Sequence, residues 1–274
     1  MEDITRYNQY FFSPLTAGGQ ASLFDAFYLP TNQLFVAKVF NISDVAGQNT
    51  FLKEIAVHER MFMKSDRLCQ VVDCFFIDNE AYIVMEKYER DLYNHVHEKH
   101  HLNSTNQKRI MFRRICRGIK HLHRQGVAHL DIKEENILLD INYNPFICDF
   151  GLSVHFPFHT THFSRQQRKK SFVRGTNGLG GTRFYIAPEI VAREEFVNPF
   201  AADIYSLGTL LHTLLTGSYP AFQHDAELDT SLLQHLELEP SCCLLLKSML
   251  SFSPKERPSI ERILANEWVT NSFC

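Results

Sequence analysis

The chain has 274 residues, with 28 lysines and arginines against 31 aspartates and glutamates, a net charge of −3 with neutral histidines, and 45% hydrophobic residues. That balance argues against a general nucleic-acid binder, and the composition excludes disordered and collagen-like classes while leaving enough apolar residues for a large core in one domain or two lobes. Seven cysteines, Cys69, Cys74, Cys116, Cys148, Cys242, Cys243 and Cys274, show no disulfide-framework spacing, so an intracellular compartment, cytoplasmic or nuclear, is expected. The opening MEDITRYNQYFF has no basic stretch followed by an apolar one, and no run approaches the roughly 20 apolar residues that cross a bilayer. A soluble chain, neither secreted nor membrane-spanning, is expected.

From Phe12 to about Phe40, short apolar stretches break at Ala17-Gly18-Gly19 and at Pro30-Thr31-Asn32. This predicts strand, turn, strand, turn, strand, the third running from Gln33 to Phe40. Phe51, Ile55, Val57 and Met61 stand near helical spacing with Lys53, Glu54, Glu59 and Arg60 between them, so residues 49–63 are expected as one amphipathic helix. Two further strands, Gln70 to Ile77 and Ala81 to Met85, flank the turn Asp78-Asn79-Glu80. After residue 86 the pattern changes: Phe112, Ile115, Cys116, Ile119 and Leu122 mark a long helix, and helical spacing returns over 200–216, 240–251 and 258–266. The expected class is α+β, one domain over 1–274 with a mostly-β lobe at 12–85, a hinge at 86–90 and a mostly helical lobe at 91–270. Residues 155–181 mix histidines, basic residues and four glycines over a length unusual for a connection, and are expected to be mobile.

The polar cluster His129-Leu130-Asp131-Ile132-Lys133-Glu134-Glu135-Asn136 follows the long helix and precedes the apolar run Ile137-Leu138-Leu139. Asp149-Phe150-Gly151 and then Ala187-Pro188-Glu189 come after it. Singly, each has an ordinary explanation: Asp-Phe-Gly is a turn, a lysine on an apolar strand is an edge charge, and Gly18-Gly19 is a hairpin turn. Their joint order and spacing resemble the catalytic loop, metal-binding motif and activation-segment end of the eukaryotic protein kinases. The resemblance runs from about residue 12 to 269. It implies a two-lobed fold, with a small antiparallel-sheet N-lobe bearing one helix and a larger helical C-lobe. The implied activity is transfer of the γ-phosphoryl of ATP, with Mg²⁺, to serine or threonine hydroxyls of protein substrates.

Phosphoryl transfer needs negative oxygens held in line with an attacking hydroxyl and partly neutralised. Asn136 and Asp149 offer the oxygen ligands Mg²⁺ prefers, Asp131 can orient the hydroxyl and accept its proton, and Lys133 can neutralise the moving phosphate. By resemblance, Lys38 in Phe35-Val36-Ala37-Lys38 would hold the α- and β-phosphates. Its partner would be Glu54, or Glu59 if the helix register shifts by one turn. The phosphate-covering loop aligns with Leu15, Thr16, Ala17, Gly18, Gly19, Gln20, Ala21, Ser22 and Leu23. Only the central glycine, Gly18, is retained, with Thr16 and Ala21 replacing the outer two and Gly19 beside it. Adenine would lie between Leu15, Leu23 and Ala37 on one side and Leu138 on the other, bonded to backbone near Glu86 and Tyr88.

Gly181-Thr182 before Phe184-Tyr185 resembles the substrate-positioning loop. Asp203 to Gly208 resembles the helix that anchors the catalytic loop, with Tyr205 where tryptophan is usual. Arg257 resembles the buried partner of Glu189, and Leu264 to Trp268 the closing helix. Lys133 with Thr182 resembles serine/threonine kinases, while tyrosine or dual specificity depends on pocket depth. Leu130 replaces the family's arginine, and leucine cannot bind a phosphate, so activity is expected not to require phosphorylation at Ser171 or Thr176 read out through this position. Asp91 and Glu135 are read either as selectors of basic flanks in the substrate or as solvated acids. Two other readings stay open: a pseudokinase scaffold that binds partners without turnover, and a small-molecule phosphotransferase of related fold. His95, His97, His100 and His101, without zinc spacing, are read as a solvated loop, as is the basic run from Arg165 to Arg174, with a localisation signal as that run's alternative.

Overall fold

The computed structural model describes residues 5–7, 9–17, 21–61, 67–97, 104–156, 173–174, 184–222, 228–229 and 231–271, without the side chains of 5–7, 16, 17, 60, 61, 173, 174, 232 and 235. Most of the segment expected to be mobile, 155–181, lies outside them, as do most of the basic run and His100 and His101. The chain divides into two compact units, Met1–Glu89 and Arg90–Cys274.

The first unit is an antiparallel sheet of β1 (Thr5–Tyr7), β2 (Tyr10–Ala17), β3 (Ser22–Tyr28), β4 (Gln33–Asn41), β5 (Val71–Ile77) and β6 (Glu80–Glu86), ordered β1-β2-β3-β4-β6-β5. Alternation along β4 sends Phe35, Ala37 and Val39 into an aromatic-rich core with Tyr10, Phe12, Tyr82 and Val84. Phe75 and Tyr82 stack there at 5.1 Å. The other parity, Lys38 and Phe40, meets helix α1 (Val45–Met61), where Phe40 packs edge-on against Phe51 at 5.7 Å.

Helix α1 starts four residues before the periodicity suggests, because its first turn carries no core face: Val45 is 70% exposed. The start is set by Asp44, whose carboxylate accepts from Gly47 N at 2.7 Å as an N-cap. Gly47 is required there, since a Cβ would fall 1.8 Å from Asn41 O.

The second unit is mostly helical. It comprises α2 (Leu92–His97), α3 (Thr105–Arg124), α4 (Pro188–Val191), α5 (Pro199–Thr216), α6 (Ser231–His235), α7 (Pro240–Met249), α8 (Ile260–Leu264) and α9 (Glu267–Thr270). The short strands are β7 (Arg90–Asp91), β8 (Val127–Ala128), β9 (Ile137–Leu139), β10 (Pro145–Ile147), β11 (Val154–His155), β12 (Val173–Arg174) and β13 (Phe196–Val197). Helix α3 opens on a capping box between Ser104 and Gln107 and buries the predicted stripe Phe112, Ile115, Cys116, Ile119 and Leu122. Helix α5 is buried on nearly every side, begins at the Asn198 cap and ends at Gly217 with φ +71°.

The helix expected over 258–266 stops at Leu264, and Asn266 starts α9 by accepting from Trp268 N at 2.9 Å. Trp268 is fully buried against Phe112. Helix α2 had no sequence expectation: its one turn is capped by Asp91, which accepts from Asn94 N at 2.7 Å.

Candidate active site

In the first unit, Lys38 Nζ meets Glu54 Oε2 at 2.8 Å, and Glu54 is fully buried. Of the two candidate partners, Glu54 is therefore the one in contact, and Glu59 is exposed. Burial, and then the nearby Lys38 charge, pulls the pKa of buried His58 down to about 4. Burial, and then Glu54, pushes the Cys69 thiol up to about 12.

The adenine-facing role expected of Ala37 needs correction. Ala37 is fully buried in the aromatic core, paired with Phe24 and Val84, while Lys38 points to the opposite face. A strand alternates sides at every residue, so Val36, not Ala37, shares the Lys38 face. Leu23 stands directly opposite Lys38 and belongs to that face as well.

Leu15 is 45% exposed beside a register break between Pro14 and Thr16. Thr16 pairs with Leu23 and Ala17 with Ser22, while Ala21, Ser22 and Leu23 are half-buried. Gly18, Gly19 and Gln20 lie outside the described residues. Glu86 ends β6 with its N–H donating to Gln70 O at 3.0 Å, and the Tyr88 hydroxyl donates to Glu86 Oε2 at 3.3 Å.

In the second unit, β8 and β9 flank the polar loop. Leu130 takes φ +64°, a left-handed conformation costly for a branched residue. Buried Asp203 on α5 holds it there, accepting from Leu130 N at 2.8 Å and His129 N at 2.9 Å, with His123 Nε2 at 2.8 Å. His129 Nδ1 accepts from Asp131 N at 3.2 Å, which leaves Nε2–H to donate to Cys148 O at 3.0 Å. One fully buried imidazole thus ties Asp131 to the residue before Asp149.

Asp131 Oδ2 receives Asn136 Nδ2 at 2.9 Å and Lys133 Nζ at 2.9 Å, and Asn136 Nδ2 also donates to Asp131 O at 2.8 Å. The sequence-predicted Asp131, Lys133 and Asn136 are therefore in mutual contact. With Nδ2 turned to Asp131, the Asn136 carbonyl Oδ1 accepts no hydrogen bond among the described residues. Asp149 follows on φ +64°, and Phe150 is buried against the His129 ring at 5.2 Å. An amide oxygen and a carboxylate are the hard donors Mg²⁺ takes from protein while keeping water and phosphate as its other ligands, so the donor set fits that ion.

Leu138 on β9 is half-buried and pairs with Asp91 and Phe146. The Asp91 carboxylate caps α2, while Glu135 is exposed. The solvated-loop reading of the histidines is corrected for His95, which is buried on α2 against Tyr143 at 4.9 Å; His97, also on α2 rather than a loop, is exposed, with Nε2 3.2 Å from Glu134 Oε2. The Glu189 carboxylate receives Arg257 Nη1 and Nη2 at 2.7 Å each, fully buried, with the guanidinium 5.0 Å over the Tyr205 ring. Burial raises the Tyr205 hydroxyl to about 12.

Sequence reasoning missed Val36, His129 as a strut, and Glu134, which is fully buried. Period-two alternation was the available signal for Val36. Burial of Glu134 had none. Thr182, Ser171 and Thr176 lie outside the described residues.

In the second unit an acid, a lysine and an amide sit on a loop anchored to a buried helix; in the first, a lysine–glutamate pair joins strand and helix. The protein kinase domain model matches residues 12–269, and the chain belongs to that family. It is 28% identical over 254 residues to the cell cycle serine/threonine-protein kinase CDC5/MSD2 of Saccharomyces cerevisiae, covering 89% of this chain and 34% of that protein. It is 33% identical over 256 residues to the serine/threonine-protein kinase ppk16 of Schizosaccharomyces pombe (89% and 35%), and 27% identical over 275 residues to the human hormonally up-regulated neu tumor-associated kinase (94% and 36%). The chain thus spans about a third of the length of the curated relatives it matches. Among the described residues no helix is long and apolar enough to cross a membrane.

Proposed function

We propose that this chain is a serine/threonine protein kinase that transfers the γ-phosphoryl group of ATP to serine or threonine hydroxyls of protein substrates. The observation that carries the reading is the Asp131–Lys133–Asn136 constellation, in which Lys133 Nζ and Asn136 Nδ2 each meet Asp131 Oδ2 at 2.9 Å on a loop whose strained backbone is pinned by Asp203. A scaffold without turnover has no need to hold a left-handed Leu130 in order to present a carboxylate.

Asp131 orients the substrate hydroxyl and accepts its proton; Lys133 neutralises the transferring phosphate. Lys38, held by Glu54, steadies the α- and β-phosphates. Asn136 Oδ1 and Asp149 would hold Mg²⁺, which supplies charge neutralisation at the phosphates when bound. Leu15, Val36 and Leu23 would contact adenine, bonded to backbone near Glu86 and Tyr88. Leu130 is apolar and buried, so a phosphate on the activation segment finds no cation at this position. Substrates with basic flanks fit the exposed Glu135; the Asp91 carboxylate is already spent on its helix cap. A cytoplasmic or nuclear location follows from the cysteine usage.

The test is transfer of radiolabelled phosphate from Mg·ATP to a mixed peptide library, with Asp131→Asn as control. Wild-type transfer to Ser/Thr peptides, lost by about a hundredfold or more in the variant, is the expected result. A wild type that binds Mg·ATP but transfers nothing would establish the scaffold instead.

A further inference from the structure

Glu134 carries a carboxylate with no solvent exposure between the two working residues Lys133 and Asn136. One oxygen, Oε2, lies 3.2 Å from His97 Nε2 on α2. The other, Oε1, is buried and has no hydrogen-bond partner among the described residues. Burial raises the Glu134 carboxyl above its ordinary range, and leaving a buried oxygen unmet is costly, so a partner must be supplied from inside.

Three hydroxyls lie near it, those of Thr213, Tyr185 and Tyr219, whose ring meets that of Tyr185 edge-on at 5.8 Å. Thr213 on α5 lies against both the Glu134 carboxylate and the Tyr185 ring hydroxyl, but its own O–H donates to Leu210 O at 3.0 Å. Tyr185 is 2% exposed, and its buried hydroxyl also lacks a partner among the described residues. An unmet donor and an unmet acceptor therefore lie against the same threonine. Tyr185 is not free to leave, because Ser206 Oγ donates to its carbonyl at 2.8 Å and Thr209 Oγ1 to the Phe184 carbonyl at 3.3 Å. The Glu134 charge is, after burial, the next cause that raises the Tyr185 hydroxyl above its ordinary range.

We propose that Glu134 is a positioning residue whose carboxylate takes its second hydrogen bond from the Tyr185 hydroxyl, directly or through one enclosed water, and so fastens the Asp131–Lys133 loop to the segment entering α4. Substrate contact is a poor alternative use for Oε1, since the atom is out of reach of solvent. The link would couple two parts that must agree in place: the loop that carries the base, and the segment running into Ala187-Pro188-Glu189. The inference rests on the kinase reading for its catalytic consequence, but not for the link itself.

Tyr185→Phe removes one oxygen and keeps the ring; Glu134→Ala and the double variant complete a cycle. Each single variant is expected to lower kcat about tenfold, with KM for ATP and peptide within about twofold, and the double to be little worse than either single. Amide hydrogen exchange over residues 129–136 should quicken about tenfold in Tyr185→Phe, a readout that needs no catalysis and so stands even if the wild type proves inactive. Losses that multiply in the double variant would overturn the link, as would unchanged exchange. A raised peptide KM at constant kcat would make Glu134 a substrate contact and likewise overturn it. Should Glu134→Ala fail to fold, Glu134→Gln, which keeps an acceptor for Tyr185, is expected to retain more activity than Tyr185→Phe, and the reverse order would refute the proposal.

Discussion

Replacing Asp203 by asparagine tests how the catalytic loop is held. The carboxylate is fully buried and gives one oxygen to His129 N–H and Leu130 N–H apiece, at 2.9 and 2.8 Å. Asparagine keeps a single acceptor, so its NH₂ must face one of those N–H groups. A charge-assisted bond worth about 1.5–3 kcal/mol is lost and a buried donor costing about 1–3 kcal/mol is orphaned, for a combined loss of about 2.5–6 kcal/mol. Leu130 would then relax from φ +64°, shedding about 1–2 kcal/mol of strain and swinging the adjoining Asp131. A displacement of about an ångström at a reacting group costs on the order of a hundredfold in rate. Urea denaturation should show the lower midpoint, and steady-state kinetics at saturating ATP the lower kcat. A variant with a midpoint near wild type and kcat within about threefold of it would refute the claim that these two hydrogen bonds set the loop.

Two further outcomes follow from the first unit. Ala37→Leu should overpack the aromatic core and cost about 1–3 kcal/mol while leaving KM for ATP nearly unchanged, whereas Val36→Trp, on the Lys38 face, should raise that KM by about tenfold or more; the opposite pattern in nucleotide titrations would restore the rejected assignment. His58 is held neutral, with its folded pKa at about 4 against 6.5 unfolded, so the unfolded chain binds the extra proton and stability falls as pH drops through that window. Between about pH 7 and pH 5 the loss is about 2 kcal/mol by chemical denaturation, and His58→Leu should flatten that slope.

The catalytic loop was legible because its chemistry lies in one short stretch, and residues 129–136 do close on themselves through Asn136 and Lys133. The Lys38–Glu54 pair was legible as far as helical register, which left Glu59 open until burial decided. Ala37 was misread because matching a short motif does not say which side of a strand a residue faces. Glu134 was invisible for a deeper reason: a glutamate between Lys133 and Glu135 reads as solvated, and its neighbours His97, Thr213, Tyr185 and Tyr219 are distant in sequence. His95 and His97 were misplaced likewise, since Asp91 builds a helix too short for periodicity to register.

The pairing of Glu189 with Arg257 spans 68 positions, and the arginine also reaches the carbonyls of Ala201 and Ser251. Until the ribosome has made residue 257, the nascent second unit must bury an acid with no counter-charge or leave that region open. A chain ended upstream of residue 257 is therefore expected to leave this region open, its buried acid without the guanidinium that closes it.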